Sequence, residues 1–197
     1  MIGLKRLNNL RFCMETTIKE NIAGDVIECG VWRGGATILM RGILKAYNIT
    51  DKNVWVADSF EGLPFPDEEN YPEDKGDEHA VHEELAISVE SVKENFRRYD
   101  LLDEKVKFAK GWFKDTLPDL NIDTISVLRA DGDMYESTIQ ILESLYHKVS
   151  VGGFVIIDDY HAVIGCKKAT NLFREVNNIT DPMVEIDGIG AFWRKTS

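Results

Sequence analysis

Short β-rich runs alternate with helix-length segments along almost the whole chain, and this alternation narrows the possible folds more than any other feature. "GDVIECG", "NVWVADS", "KVKFAKG", "DTISVLRADGD" and "GGFVIIDDY" read as strands. Between and around them, "LKRLNNLRFCMETTIKENI", "GGATILMRGILKAY", "SVESVKENFRRYDL", "MYESTIQILESLYHKV" and "GCKKATNLFREV" have helical spacing. Strands separated by helices of this length imply a mostly parallel sheet covered on both faces, an α/β fold. The tail "PMVEIDGIGAFWRK" predicts a terminal hairpin that turns near Gly188. With 197 residues the chain is long enough to bury one core, and residues 1–197 are expected to form a single domain.

Composition excludes several classes of function. A net charge of −11 opposes nucleic acid or an anionic membrane as partner, because phosphate is repelled overall. No apolar run reaches the about 18 residues a membrane span needs, and the amino-terminal stretch does not read as a signal peptide. Cys13, Cys29 and Cys166 are odd in number and widely spaced, which fits a reducing cytoplasm and neither a disulfide framework nor a zinc knuckle. Between Asp67 and Glu84 there are nine acidic residues against one lysine. This long loop is expected to be a solvated segment or a mobile flap over a site, with Gly62 and Gly76 as hinges. His79 and His82 within it either gate that site or are solvated.

In an open parallel sheet, ligands sit outside the carboxyl ends of the strands. Here those ends carry Glu28-Cys29-Gly30, Asp58-Ser59, Lys110-Gly111-Trp112, Asp131-Gly132-Asp133 and Asp158-Asp159. The turn from Gly30 to Gly34 opens a helix and offers backbone amides to a ligand. It fits pyrophosphate poorly, because Val31, Trp32 and Arg33 stand between its glycines where a dinucleotide site wants a further glycine. Glu28 suits a ligand that carries positive charge, as S-adenosylmethionine does, and Asp58 is placed to accept hydrogen bonds from ribose hydroxyls. Trp112 reads equally as a core residue.

Asp131, Asp158 and Asp159 end two apolar strands and would repel one another uncompensated. An oxygen-only set favours magnesium, calcium or manganese over zinc. The structural alternatives are a turn at "DGD" and a helix cap at "DD". A cation bound to an acceptor hydroxyl would lower its pKa, and a nearby carboxylate would take the proton. Asp131 is expected to be that base, with Asp133 and His161 as alternatives.

The segments "DVIECGVWRGGA", "VWVADSFEGLPFPD", "VKENFRRYDLLDEKVKFAKGWFKDTLP", "LRADGDMYEST", "GGFVIIDDY" and "GIGAFWRK" together resemble the macrocin O-methyltransferase family. The resemblance implies a Rossmann-like class I methyltransferase fold, with a mostly parallel seven-stranded sheet, helices on both faces and an antiparallel carboxyl-terminal hairpin. It further implies S-adenosylmethionine as donor, magnesium as the usual metal, and a sugar hydroxyl on a natural product as acceptor. By position it assigns Glu28, Gly30 and Gly34 to the donor's methionine end, Asp58 and Ser59 to the ribose side, and Gly111 and Trp112 to the adenine region. Asp131, Asp158 and Asp159 fall on the metal. A catechol-like acceptor, or a donor-binding protein without catalysis, stands as the alternative, and a homodimer is possible. Members of that family carry additional amino-terminal sequence, so the acidic loop is expected to do more of the covering here.

Overall fold

The computed structural model describes residues 2–197. Helix α1 spans Leu4–Lys19, β1 Asp25–Cys29, α2 Gly35–Ala46 and β2 Val54–Asp58. After the acidic segment come α3 (Val89–Arg98), β3 (Val106–Lys110) and a one-turn α4 (Phe113–Thr116). Then follow β4 (Ile125–Ala130), α5 (Tyr135–Leu145), β5 (Val149–Ile157), α6 (Ile164–Val176), β6 (Val184–Glu185) and β7 (Ala191–Arg194). The seven strands form one sheet in the order β3-β2-β1-β4-β5-β7-β6. The first five strands pair in parallel, while β7 runs antiparallel to both β5 and β6. This is the expected architecture, including the hairpin around Gly188.

Two-residue alternation divides the sheet between its two faces. Val26, Val54, Val127, Phe154 and Ile156 pack beneath Leu10, Met14, Met40 and Leu44 of α1 and α2. Ile27, Leu128, Val155 and Ile157 face Ile139, Leu142, Leu145 and Phe173 of α5 and α6. Every residue of β4 is buried, as a central strand covered on both faces requires. Strand order reverses between β1 and β4, with β2 and β3 added on one side and β4 and β5 on the other, and that switch point opens a crevice at the strands' carboxyl ends. No described helix is long and apolar enough to cross a membrane.

Candidate active site

A cavity of about 580 Å³ lies along these carboxyl ends, within the size range of small-molecule sites. Its wall on the β1 and β2 side is a backbone knot organised by Asp58. Asp58 Oδ2 accepts the amides of Val31 (2.7 Å) and Trp32 (3.3 Å), and Oδ1 accepts that of Phe60 (2.7 Å). Burial raises the Asp58 pKa and these amides oppose the rise. Ser59 Oγ donates to the carbonyl of Gly62 (2.6 Å) and accepts the Glu61 amide (3.0 Å), closing the next turn. Gly30 has φ +88°, and an added Cβ would lie 1.8 Å from the Asp131 carbonyl oxygen, so only glycine lets the ends of β1 and β4 come this close.

Two of the glycines expected at the cofactor stand one residue outside the cavity wall. A Cβ on Gly34 would meet Val92 Cγ1 of α3 at 2.8 Å, while its neighbours Gly35 and Ala36 line the cavity. A Cβ on Gly111 would meet Thr116 Cγ2 at 2.7 Å, and it is Trp112 and Phe113 that face the cavity. At both positions the absence of a Cβ is needed for packing, and both have positive φ. Glu28, Gly30, Asp58, Ser59 and Trp112 all line the cavity.

The acids at the other end are organised by two arginines that strand-end reasoning overlooked. Arg129, 1% exposed in the middle of the sheet, donates through Nη1 to Glu28 Oε1 and to Asp131 Oδ2 (2.6 Å). Its Nη2 lies 2.5 Å from Asp158 Oδ1, an ion pair without hydrogen-bond alignment. Arg6 of α1 reaches in to donate to Asp158 Oδ2 through Nη1 and to Asp187 Oδ2 through Nε (3.1 Å). Glu28 Oε2 accepts the Thr37 amide at 3.1 Å. Burial nonetheless pushes the Glu28 carboxyl up to about 8 against the pull of Arg129. A buried charged group is paired as a rule, and the lone arginine in the apolar run "ISVLRA" was the signal that could have found this network.

Asp158 is thus turned towards the two guanidinium groups. The carboxylates that converge are Asp131, Asp133 and Asp159, with one oxygen from each within 4.8 Å of the others. Asp133 takes a left-handed φ of +56° to reach this position. Burial and the charge of Asp131 raise the pKa of Asp133, and Asp159 is raised by burial and by Asp131 and Asp133. Asp159 Oδ2 is buried with no hydrogen-bond partner among the described residues. A hard cation fits this set: it would neutralise clustered oxygens and satisfy the orphaned one.

His161 stays outside the cavity wall. Its amide donates to the Ile189 carbonyl (2.7 Å), and its ring stands edge-on to Tyr160 with centroids 4.8 Å apart. His79 Nδ1 contacts Asp77 Oδ2 at 2.8 Å and His82 Nδ1 lies 3.3 Å from Glu84 Oε1, and neither ring lines the cavity. The acidic segment is folded into three short turns, Pro72–Asp74, His79–Val81 and Glu83–Leu85. It is tied down at Asp74, whose oxygens accept the first amides of α5, from Tyr135 (2.7 Å) and Glu136 (2.8 Å). A second tie joins the Glu84 carbonyl to Trp32 Nε1 at 2.9 Å, and Leu85 beside it lines the cavity.

The sequence profile of the Macrocin-O-methyltransferase (TylF) family matches residues 1–195. The chain belongs to this family. Macrocin O-methyltransferase relatives include the demethyldecarbamoylnovobiocin O-methyltransferase of Streptomyces niveus, 54% identical over all of this chain and 75% of the relative. The mycinamicin III 3''-O-methyltransferase of Micromonospora griseorubida is 47% identical over all of this chain and 78% of its own length. Among solved structures, the O-methyltransferase NovP superposes with a TM-score of 0.98 at 53% identity, covering all of this chain and 81% of that one. The calicheamicin methyltransferase CalS11 shares the fold, with a TM-score of 0.77 at 17% identity over 97% of this chain and 79% of that one. As a macrocin O-methyltransferase family member the protein is an O-methyltransferase, and its fold is that of the class I methyltransferases.

Proposed function

We propose that this enzyme transfers a methyl group from S-adenosylmethionine to a hydroxyl of a sugar carried on a natural product, with a magnesium ion at the acidic end of the cavity. The observation that carries this reading is the junction of two unlike surfaces in one cavity. A glycine turn and Asp58 suit a nucleoside at one end, and three oxygen donors suit a hard cation at the other. The names of the relatives support the acceptor class: one is a 4'-O-methyltransferase of a tetracenomycin carrying a dimethoxy-rhamnosyl group, and others act on demethyldecarbamoylnovobiocin and on the 3'' position of mycinamicin III.

Asp58 Oδ1 takes one strong amide bond and keeps a lone pair for a ribose hydroxyl. Trp112 and Phe113, at the end of β3, supply an apolar wall for the adenine. Glu28 faces the amino-acid end of the donor. Asp131 and Asp159 are the proposed ligands, because magnesium characteristically takes one or two carboxylates and keeps several waters. A bound divalent cation supplies Lewis acidity that lowers the pKa of the acceptor hydroxyl. Asp133 fits the base better than Asp131, the residue that sequence alone favours. Asp131 is committed to Arg129, whereas Asp133 has no arginine partner among the described residues and stands within the same cluster. The walls of the cavity orient acceptor and donor for in-line transfer.

Methyl transfer to a glycoside with a free sugar hydroxyl, assayed with and without a chelator, tests the reading. Transfer is expected to stop with chelator, return with magnesium, and fall at least about 100-fold in Asp133→Asn. Transfer indifferent to chelation would overturn the metal assignment. Transfer to a simple catechol but to no glycoside would overturn the acceptor.

A further inference from the structure

The methyl donor is zwitterionic at its amino-acid end, so its carboxylate needs a cation as surely as its ammonium needs an acid. We propose that Arg6, on the first helix, is the anchor for that carboxylate. This rests on the donor reading above. Trp112 and Asp58 lie at the ends of β3 and β2, so a nucleoside held there directs the amino-acid end across β1 towards β4 and β5. That is where α1 packs against the sheet and delivers Arg6 into the cavity wall.

Three guanidinium groups line the cavity: Arg6, Arg33 and Arg129. Arg129 is wholly buried and committed to Glu28, Asp131 and Asp158. Arg33 is exposed and stacks on its neighbour Trp32, 4.7 Å from the ring centroid. Arg6 is 10% exposed in its side chain and held by Asp158 and Asp187, yet its Nη2 hydrogen-bonds no protein atom among the described residues. A fork with one arm gripped from behind and the other uncommitted is oriented for a carboxylate. Gly190 makes room for it, since a Cβ there would lie 3.3 Å from Arg6 Cδ and 3.0 Å from the Asp158 carbonyl oxygen. The hairpin sequence "DGIGAFW" thus supports the anchor twice over, with Asp187 aiming Arg6 and Gly190 admitting its stem.

Titration calorimetry with two ligands isolates this contact. S-adenosylhomocysteine carries the amino-acid end, whereas 5′-methylthioadenosine lacks it and keeps the nucleoside. Arg6→Gln is expected to weaken S-adenosylhomocysteine at least about tenfold, as for a lost charged hydrogen bond, and to change 5′-methylthioadenosine by less than about twofold. Asp187→Asn, outside the cavity wall, is expected to give a smaller loss confined to S-adenosylhomocysteine. Equal losses for both ligands, or an unchanged affinity for S-adenosylhomocysteine, would overturn the role of Arg6. If Arg6→Gln does not fold by thermal unfolding, Arg6→Lys decides: a lysine lacks the fork and should bind S-adenosylhomocysteine more weakly than wild type, and wild-type affinity would overturn the assignment. Failure of both ligands to bind the wild type would instead overturn the donor reading, and this inference with it.

Discussion

Asp159 carries the largest conflict between stability and chemistry. One of its oxygens is buried with no partner, beside two further carboxylates. Leaving such a group unsatisfied costs about 1–3 kcal/mol. Asp159→Asn is therefore expected to raise the thermal midpoint of the metal-free protein while abolishing magnesium affinity by calorimetry. A lower midpoint would show that the acid is not strained as described. The raised carboxyls of Glu28, Asp133 and Asp159 also set a pH dependence. Between the ordinary carboxyl value of about 4 and these raised values, the folded chain binds more protons than the unfolded one. Stability is then fully present at the acid end of this window and is lost as pH rises through it. Asp103, depressed by its bonds to Arg41, acts in the opposite sense and only below the window. The metal-free midpoint should be lower at about pH 8 than at about pH 6, and magnesium should restore more of it at the higher pH. A midpoint that climbs over that range would contradict the cluster's electrostatics. Arg129 is the counterweight. Arg129→Met removes the one charge shared by Glu28, Asp131 and Asp158, and should cost about 3–5 kcal/mol in denaturant unfolding.

At the scale of elements, α5 begins without a capping side chain of its own and borrows Asp74 from the acidic segment. Asp74→Ala should cost about 1 kcal/mol and speed hydrogen exchange at Tyr135 and Glu136. Because Asp133 lies two residues ahead of Tyr135, the same change should depress turnover more than donor affinity. Protection at α5 unaltered by the substitution would mean the segment only rests there. Much of this level is legible in the sequence. Period-two strands, helical spacing and the Gly188 turn specify the sheet, its parallel core and its hairpin, because each signal is local. The acids at the strand ends are legible for the same reason. Arg6 and Arg129 are not, since their meaning lies in partners 152 and 101 residues distant for Asp158 and Glu28 respectively. That Gly35 and Phe113 rather than Gly34 and Gly111 line the cavity is not legible either, because spacing does not say which way each residue faces. Asp158 reads as a partner of Asp159 because adjacency in sequence hides that the two side chains face different neighbours.

Across the whole molecule, the site is assembled from the ends of the chain inwards. Asp187, Arg6, Asp158, Arg129 and Glu28 form a run of alternating charge that links the hairpin, α1, β5, β4 and β1. The Arg6 to Asp187 bond spans 181 residues. A contact between segments so far apart must close a large loop of chain before it contributes, so it forms late. Refolding from denaturant should therefore restore the parallel strands before the Arg6–Asp187 bond closes the run of charge.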